Sequence, residues 1–193
     1  MVSATVLPAD AELAHARACA AAVPDPEIPV LTLEDLGILR DVAREGARIV
    51  VTLTPTYTGC PATEAIAEDV RAALAAGGFG DATVRTTLSP PWTTDWISED
   101  GRRKLREYGI APPGRAVGAT VLRFVPRGAR GAAPAAPGRT TVASAAGAAT
   151  ESIACPRCGS AAVERLSEHG STPCKALYRC VACREPFDYF KPY

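Results

Sequence analysis

The chain has 193 residues, enough for one domain of ordinary size and a small appended module. Its 21 lysines and arginines balance 21 aspartates and glutamates, which leaves no basic footprint of the kind that coats nucleic acid. Met1-Val2-Ser3-Ala4-Thr5 lacks the basic-then-apolar pattern of a secretory signal, and no stretch approaches the roughly 18 apolar residues of a bilayer span, so a cytoplasmic protein with no nucleic-acid or membrane partner is expected.

Asp10 to Ala22 is alanine-rich, with Leu13, Ala16, Arg17 and Ala20 at helical spacing, and predicts a first helix that stops before Val23-Pro24. His15 and Cys19 lie one turn apart on it and read as packing in preference to a ligand pair. Asp25-Pro26-Glu27-Ile28-Pro29 alternates prolines with acids, which excludes helix and holds two carboxylates on one side of an extended segment. That segment is either a surface connector or a shaped binding edge. From Asp35-Leu36-Gly37 the pattern shifts to period two, with Ile38, Arg40 and Val42 on one face of an expected strand. Glu45-Gly46 turns it into a second, β-branched strand running from Ile49 to Thr54.

Thr54-Pro55-Thr56-Tyr57-Thr58-Gly59-Cys60-Pro61 then ends that strand and opens a helix. Pro61 suits a first helical position, which makes Cys60 the expected N-cap, beside free amides that bias a thiol toward thiolate. Such a cysteine is either a reactive group or metal ligand, or a small buried hydrophobe. Ala62, Ile66, Val70, Ala73 and Leu74 form the apolar stripe of the helix, and Gly77-Gly78 stops it. Ala82 to Leu88 alternates as a third strand, and the crossover through the helix makes it parallel to the second. Cys60 thereby falls at the carboxyl edge of the sheet, where ligand crevices form. The third strand runs at that edge into Trp92-Thr93-Thr94-Asp95-Trp96-Ile97, whose tryptophans either roof the cysteine or pack the sheet. Ser98, Glu99 and Asp100 start a helix through about Tyr108, ended by Gly109, and Ala119 to Val125 offers an edge strand.

The expected fold class is α+β: a small mixed three-stranded sheet with helices in the order α-β-β-α-β-α over residues 1–125. Residues 126–150 read as a flexible linker, because 17 of the 25 are Ala, Gly or Pro and one, Val142, is a branched aliphatic. As a coil it would span about 25–30 Å.

Residues 151–193 hold Cys155-Pro156-Arg157-Cys158 and Cys180-Val181-Ala182-Cys183, with 21 residues between the pairs. Seven cysteines, an odd number with four in Cys-x-x-Cys pairs, fit a reducing compartment and a metal site better than a disulfide framework. Two such turns complete a tetrahedral site, so Cys155, Cys158, Cys180 and Cys183 are expected to hold a structural zinc, with iron as the rival ion. Gly159 permits the close turn after the first pair and Arg184 suits it less, so the first knuckle is expected to be the more regular. Cys174 is a fifth thiol that could pack, act as a spare ligand or react. With six basic against five acidic residues the ribbon has little electrostatic hold on nucleic acid. Its tail, Phe187 to Tyr193, reads as a docking surface or as cover for the zinc.

Taken together, Asp25-Pro26-Glu27-Ile28-Pro29, Asp35-Leu36-Gly37, Asp41-Val42 and Thr58-Gly59-Cys60-Pro61 resemble the small domain of SufT-type iron-sulfur assembly factors. The tryptophan segment, Tyr108-Gly109-Ile110-Ala111-Pro112-Pro113, the four-cysteine ribbon and Cys174-Lys175-Ala176-Leu177-Tyr178-Arg179-Cys180 resemble the D-subunit family of phenylacetyl-CoA epoxidase (phenylacetate-CoA oxygenase) systems. Only the linker departs from that pattern. The resemblance implies an accessory role in maturing or delivering an iron or iron-sulfur centre, not the epoxidation itself. Cys60 is then a transient iron or cluster ligand, with Asp25 and Glu27 as nearby carboxylates and Thr58, Gly59, Trp92, Asp95, Trp96 and Cys174 in support. The implied partners are the other subunits of the oxygenase complex, including its iron-sulfur reductase, with homodimerisation open. A pure scaffold docking through the ribbon and a thiol-dependent enzyme are the competing readings.

Overall fold

The computed structural model describes residues 9–114 and 153–193. The edge strand expected at Ala119 to Val125 and the linker expected at 126–150 lie outside them. The described chain forms α1 (Ala9–Ala21), α2 (Leu33–Leu36), β1 (Leu39–Glu45), β2 (Arg48–Leu53), α3 (Thr63–Ala76), β3 (Thr83–Thr86) and α4 (Glu99–Tyr108). There follow β4 (Ile110–Ala111), β5 (Val163–Ser167), β6 (Lys175–Cys180) and β7 (Pro186–Phe190). The architecture is α+β, and among the described residues no helix is long and apolar enough to cross a membrane.

The first sheet has the order β1-β2-β3. β1 and β2 form the antiparallel hairpin that Gly46 turns at φ +63°, with Leu39 opposite Leu53 and Glu45 opposite Arg48. β3 lies parallel to β2, with Val51 beside Val84, so α3 is the crossover between them. Ile66, Val70 and Leu74 on α3 and Ala16 and Ala20 on α1 bury against Ile49, Val51 and Leu53 of β2. Cys19 belongs to this packing: a Cβ on Gly77 would meet its sulfur at 2.6 Å. His15, one turn earlier, sits against the Phe79 ring at 5.5 Å, so the pair packs.

The strand expected from Asp35 begins later, at Leu39, because Asp35 and Leu36 end the short helix α2 and Gly37 is its left-handed cap at φ +67°. Thr32 and Asp35 make a reciprocal capping box, Thr32 Oγ1 accepting from Asp35 N and Asp35 Oδ2 from Thr32 N. Ser98 caps α4 by accepting from Gly101 N at 2.9 Å, and Gly109 ends it at φ +92°.

The second sheet has the order β4-β7-β6-β5. β5, β6 and β7 are the antiparallel ribbon, and β4, which directly follows α4, adds to its edge in parallel with Ile110 beside Asp188. Segments far apart in the chain therefore share one sheet. Phe190 and Cys174, both from the ribbon, are buried in the same core as Leu36, Ile38 and Leu53. A smaller cluster of Ala111, Cys155, Cys180 and Phe187 underlies the four cysteines.

Candidate metal centres

The Sγ atoms of Cys155, Cys158, Cys180 and Cys183 lie within 4.8 Å of one another. Cys155 and Cys183 are 3.8 Å apart and Cys158 and Cys180 3.5 Å. Metal–sulfur bonds of about 2.3 Å in a tetrahedron put sulfurs roughly 3.8 Å apart, so the four residues fit one metal ion. The two knuckles match bond for bond. Gly159 N donates to Cys155 O and Arg184 N to Cys180 O, each at 2.9 Å. Cys155 N returns to Ser160 O and Cys180 N to Glu185 O. The expectation of a more regular first knuckle fails because Arg184 takes the left-handed conformation, φ +67°, that Gly159 takes at +74°. The hydrogen-bonded knuckle turn sets the backbone of whichever residue stands there, at a steric cost for arginine. The Cys183 N–H, 3.5 Å from Cys180 Sγ, leads the interactions that draw the Cys180 thiol down to about 6.

The Cys60 turn follows the end of β2. Gly59 turns at φ +87°, Cys60 N donates to Tyr57 O, and Cys60 O accepts from both Thr63 N and Thr63 Oγ1. The helix starts later than expected: its N-cap is Ala62, in helical conformation and with no side-chain cap. Cys60 is therefore not the N-cap, and the expected bias toward thiolate is reversed. Burial pushes its thiol up, and the Glu27 and Asp25 carboxylates add to that, while the Ala62 N–H opposes it less strongly.

Cys60 lines a cavity of about 20 Å³ together with Asp25, Glu27, Ile28, Leu36, Ile38, Leu53, Phe190 and Cys174. That volume takes one water-sized particle. The acid-proline segment forms part of its wall. Asp25 Oδ1 accepts from the Glu27 and Ile28 amides at 2.9 and 2.8 Å, and Asp25 N donates to Leu31 O, closing a tight loop that turns both carboxylates to the cavity. Asp25 is 7% exposed, and burial raises its carboxyl despite those amides and the Lys175 charge. Burial and Asp25 raise Glu27 too.

Neither tryptophan lines this cavity. Trp92 is buried, donates from Nε1 to Leu36 O at 2.8 Å and packs on the rings of Phe190 and Tyr193. Trp96 lies against Gly37 and under the Arg40 guanidinium, 3.5 Å from its ring centre. Asp95 sits between them in a short turn capped by Thr93, and Thr58 is exposed on the outer wall of the Cys60 turn. The cover over Cys60 comes from the ribbon: Cys174 and Phe190 line the cavity, and Tyr193 stacks on Tyr57 with centroids 6.1 Å apart. Burial, then the Cys60 and Glu27 charges, push the Tyr57 hydroxyl up to about 12. Sequence reasoning named Cys174 but not its position, since nothing in local pattern says which thiol of one unit faces which of another.

Residues 17–85 match the model of an iron-sulfur cluster assembly protein, and residues 139–191 match the PaaD zinc beta ribbon domain, a match that begins inside the stretch expected as linker. A relative from Escherichia coli (strain K12), provisionally named as the D subunit of a 1,2-phenylacetyl-CoA epoxidase, is 45% identical over 88% of this chain and 86% of its own. An Fe-S protein maturation auxiliary factor of Porphyromonas gingivalis is 38% identical over 42% of this chain and 78% of its own. A crystal structure titled Domain of Unknown Function DUF59 from Bacillus anthracis is 30% identical, covering 50% of this chain and 92% of that one at a TM-score of 0.46. With an assembly-protein domain at one end, a PaaD ribbon at the other and a relative of this identity and coverage, the chain belongs to the D-subunit family of phenylacetyl-CoA epoxidases.

Proposed function

We propose that this chain is an accessory factor that helps assemble or deliver the iron or iron-sulfur centre of a multicomponent phenylacetyl-CoA epoxidase, with Cys60 as the transient ligand of the metal in transit. The observation that carries the reading is the convergence of Cys60, Asp25 and Glu27 on a cavity with room for one small particle. Without a cation, burial and the two carboxylates keep the Cys60 thiol protonated. A divalent ion reverses that balance, because its charge favours the thiolate and is itself favoured by the carboxylates. Apolar walls from Leu36, Ile38 and Leu53 strengthen both attractions.

The ribbon cysteines play a different part. Four thiolates fill every position of a tetrahedral ion, so they hold a structural zinc with nothing open for chemistry. Its work is to fold the ribbon and, through β7 and Phe190, to seat it on the first domain. The epoxidation belongs to the partner subunits, among them the oxygenase and its iron-sulfur reductase. A thiol-dependent enzyme fits less well, since a nucleophilic thiol needs a base and, among the described residues, neither His15 nor His169 lines either of the cavities that Cys60 borders.

The test is a Cys60→Ser chain supplied to cells in place of the parent at equal level. The oxygenase purified from those cells is expected to lose iron and activity several-fold. Unchanged iron and activity would leave only the scaffold reading.

A further inference from the structure

We propose that Cys174 is the second thiolate ligand of the ion held at Cys60, so that the metal is bound between the ribbon and the first domain and its uptake fastens one onto the other. The inference deepens the assembly-factor reading and rests on it.

Cys174 has no place in the structural centre. The sulfurs of Cys155, Cys158, Cys180 and Cys183 converge without it. It stands just before β6, 4% exposed, and packs into the first domain's core instead of the cluster under the knuckles. Its carbonyl accepts from Lys191 N at 3.0 Å, which ties it to the residue after β7, and its sulfur is 3.0 Å from Thr172 Oγ1. The ribbon sheet thus delivers this thiol, on a fixed backbone, to the cavity that Cys60 and the acid-proline loop also line. A second observation is independent of the cysteine: Asp25, itself more than nine-tenths buried, and Glu27 line the same cavity.

The donor chemistry selects the ligand. Two sulfurs with two carboxylates suit a borderline divalent ion such as ferrous iron, cobalt or zinc, and are a poor match for magnesium or calcium. Among the described residues, the group of three or more ligand atoms already drawn together is the ribbon's, so the cavity donors must close on an ion to hold it. That closing weakens the hold, as delivery requires. Binding forms two metal–sulfur bonds and releases two protons to water, with no electron transferred.

The test uses the full chain, replete with zinc, and adds cobalt(II) without oxygen. X-ray absorption at the cobalt edge then reads the second site alone. The expected result is two sulfur scatterers per cobalt, falling to one in Cys174→Ser with at least a tenfold loss of cobalt affinity and unchanged zinc. Cys174→Ala serves as the second variant, and the sulfur count in the parent decides even if both variants fold poorly. One sulfur in the parent would overturn the inference while leaving the role of Cys60 intact. Failure of the chain to take up any cobalt beyond its zinc would overturn both.

Discussion

Lys104 on α4 places its Nζ 2.7 Å from Asp35 Oδ2, the same oxygen that accepts from Thr32 N in the capping box of α2. One carboxylate therefore starts a helix and pins another to it. Burial raises this carboxyl, but the Lys104 ammonium and the Thr32 donors outweigh it and hold it below the ordinary carboxylate range. A carboxyl depressed in the folded state contributes stability that is present above the unfolded value, about 3.9, and is lost as pH falls toward the folded one. Urea unfolding between about pH 5 and pH 2 should show that loss, with Asp35→Asn less stable at pH 7 by about 2 kcal/mol and flatter in acid. An equal acid slope in both proteins would contradict the assignment.

Gly37 and Gly59 are both at positive φ, yet they should respond differently to alanine. A Cβ on Gly37 would meet Trp96 O at 2.6 Å, whereas one on Gly59 meets nothing within 4 Å. Gly59→Ala bears only the left-handed strain, about 1 kcal/mol, and Gly37→Ala adds a backbone clash that raises the cost to about 3 kcal/mol. Thermal unfolding of the two variants checks the order.

Arg184 is strained where Gly159 is not, so Arg184→Gly should stabilise the ribbon by about 1 kcal/mol. The readout is the chelator concentration needed to strip the ribbon metal, which is expected to rise. A variant stripped as easily as the parent would show that the φ of +67° costs nothing.

Phe190 is almost wholly buried among first-domain residues and packs on Trp92, with ring centroids 6.1 Å apart. Phe190→Ala should cost about 3–5 kcal/mol and loosen the ribbon from the first domain. Tryptophan fluorescence and protease cleavage between the two would report it. Unaltered melting and cleavage would contradict the packing.

Much of this was legible in the chain. Alternation in Ile49 to Leu53, the stripe of Ile66, Val70 and Leu74, and the Ser98 and Gly109 signals mark elements whose stability is set by local period and caps, and they stand where expected. The misreadings have specific causes. Pro61 tolerates a turn as well as a first helical position, so the helix starts past it, at Thr63, with Ala62 as its cap. The Thr32 and Asp35 pair carried a capping signature that the following β pattern obscured. β4 is two residues long and exists only because β7 lies beside it, and the cavity that Cys60 and Cys174 both line likewise draws on distant segments. The thiol's protonation could not follow from its place near a helix start, because the burial that raises it, with the carboxylates of another loop adding to it, comes only with tertiary packing.

The most direct test is an anaerobic titration of ferrous iron into the zinc-replete chain, parent against Cys60→Ser, read by metal analysis after desalting. The account predicts iron up to about one equivalent above the zinc in the parent, none above background in the variant, and equal zinc in both. Equal iron in the two proteins would contradict it.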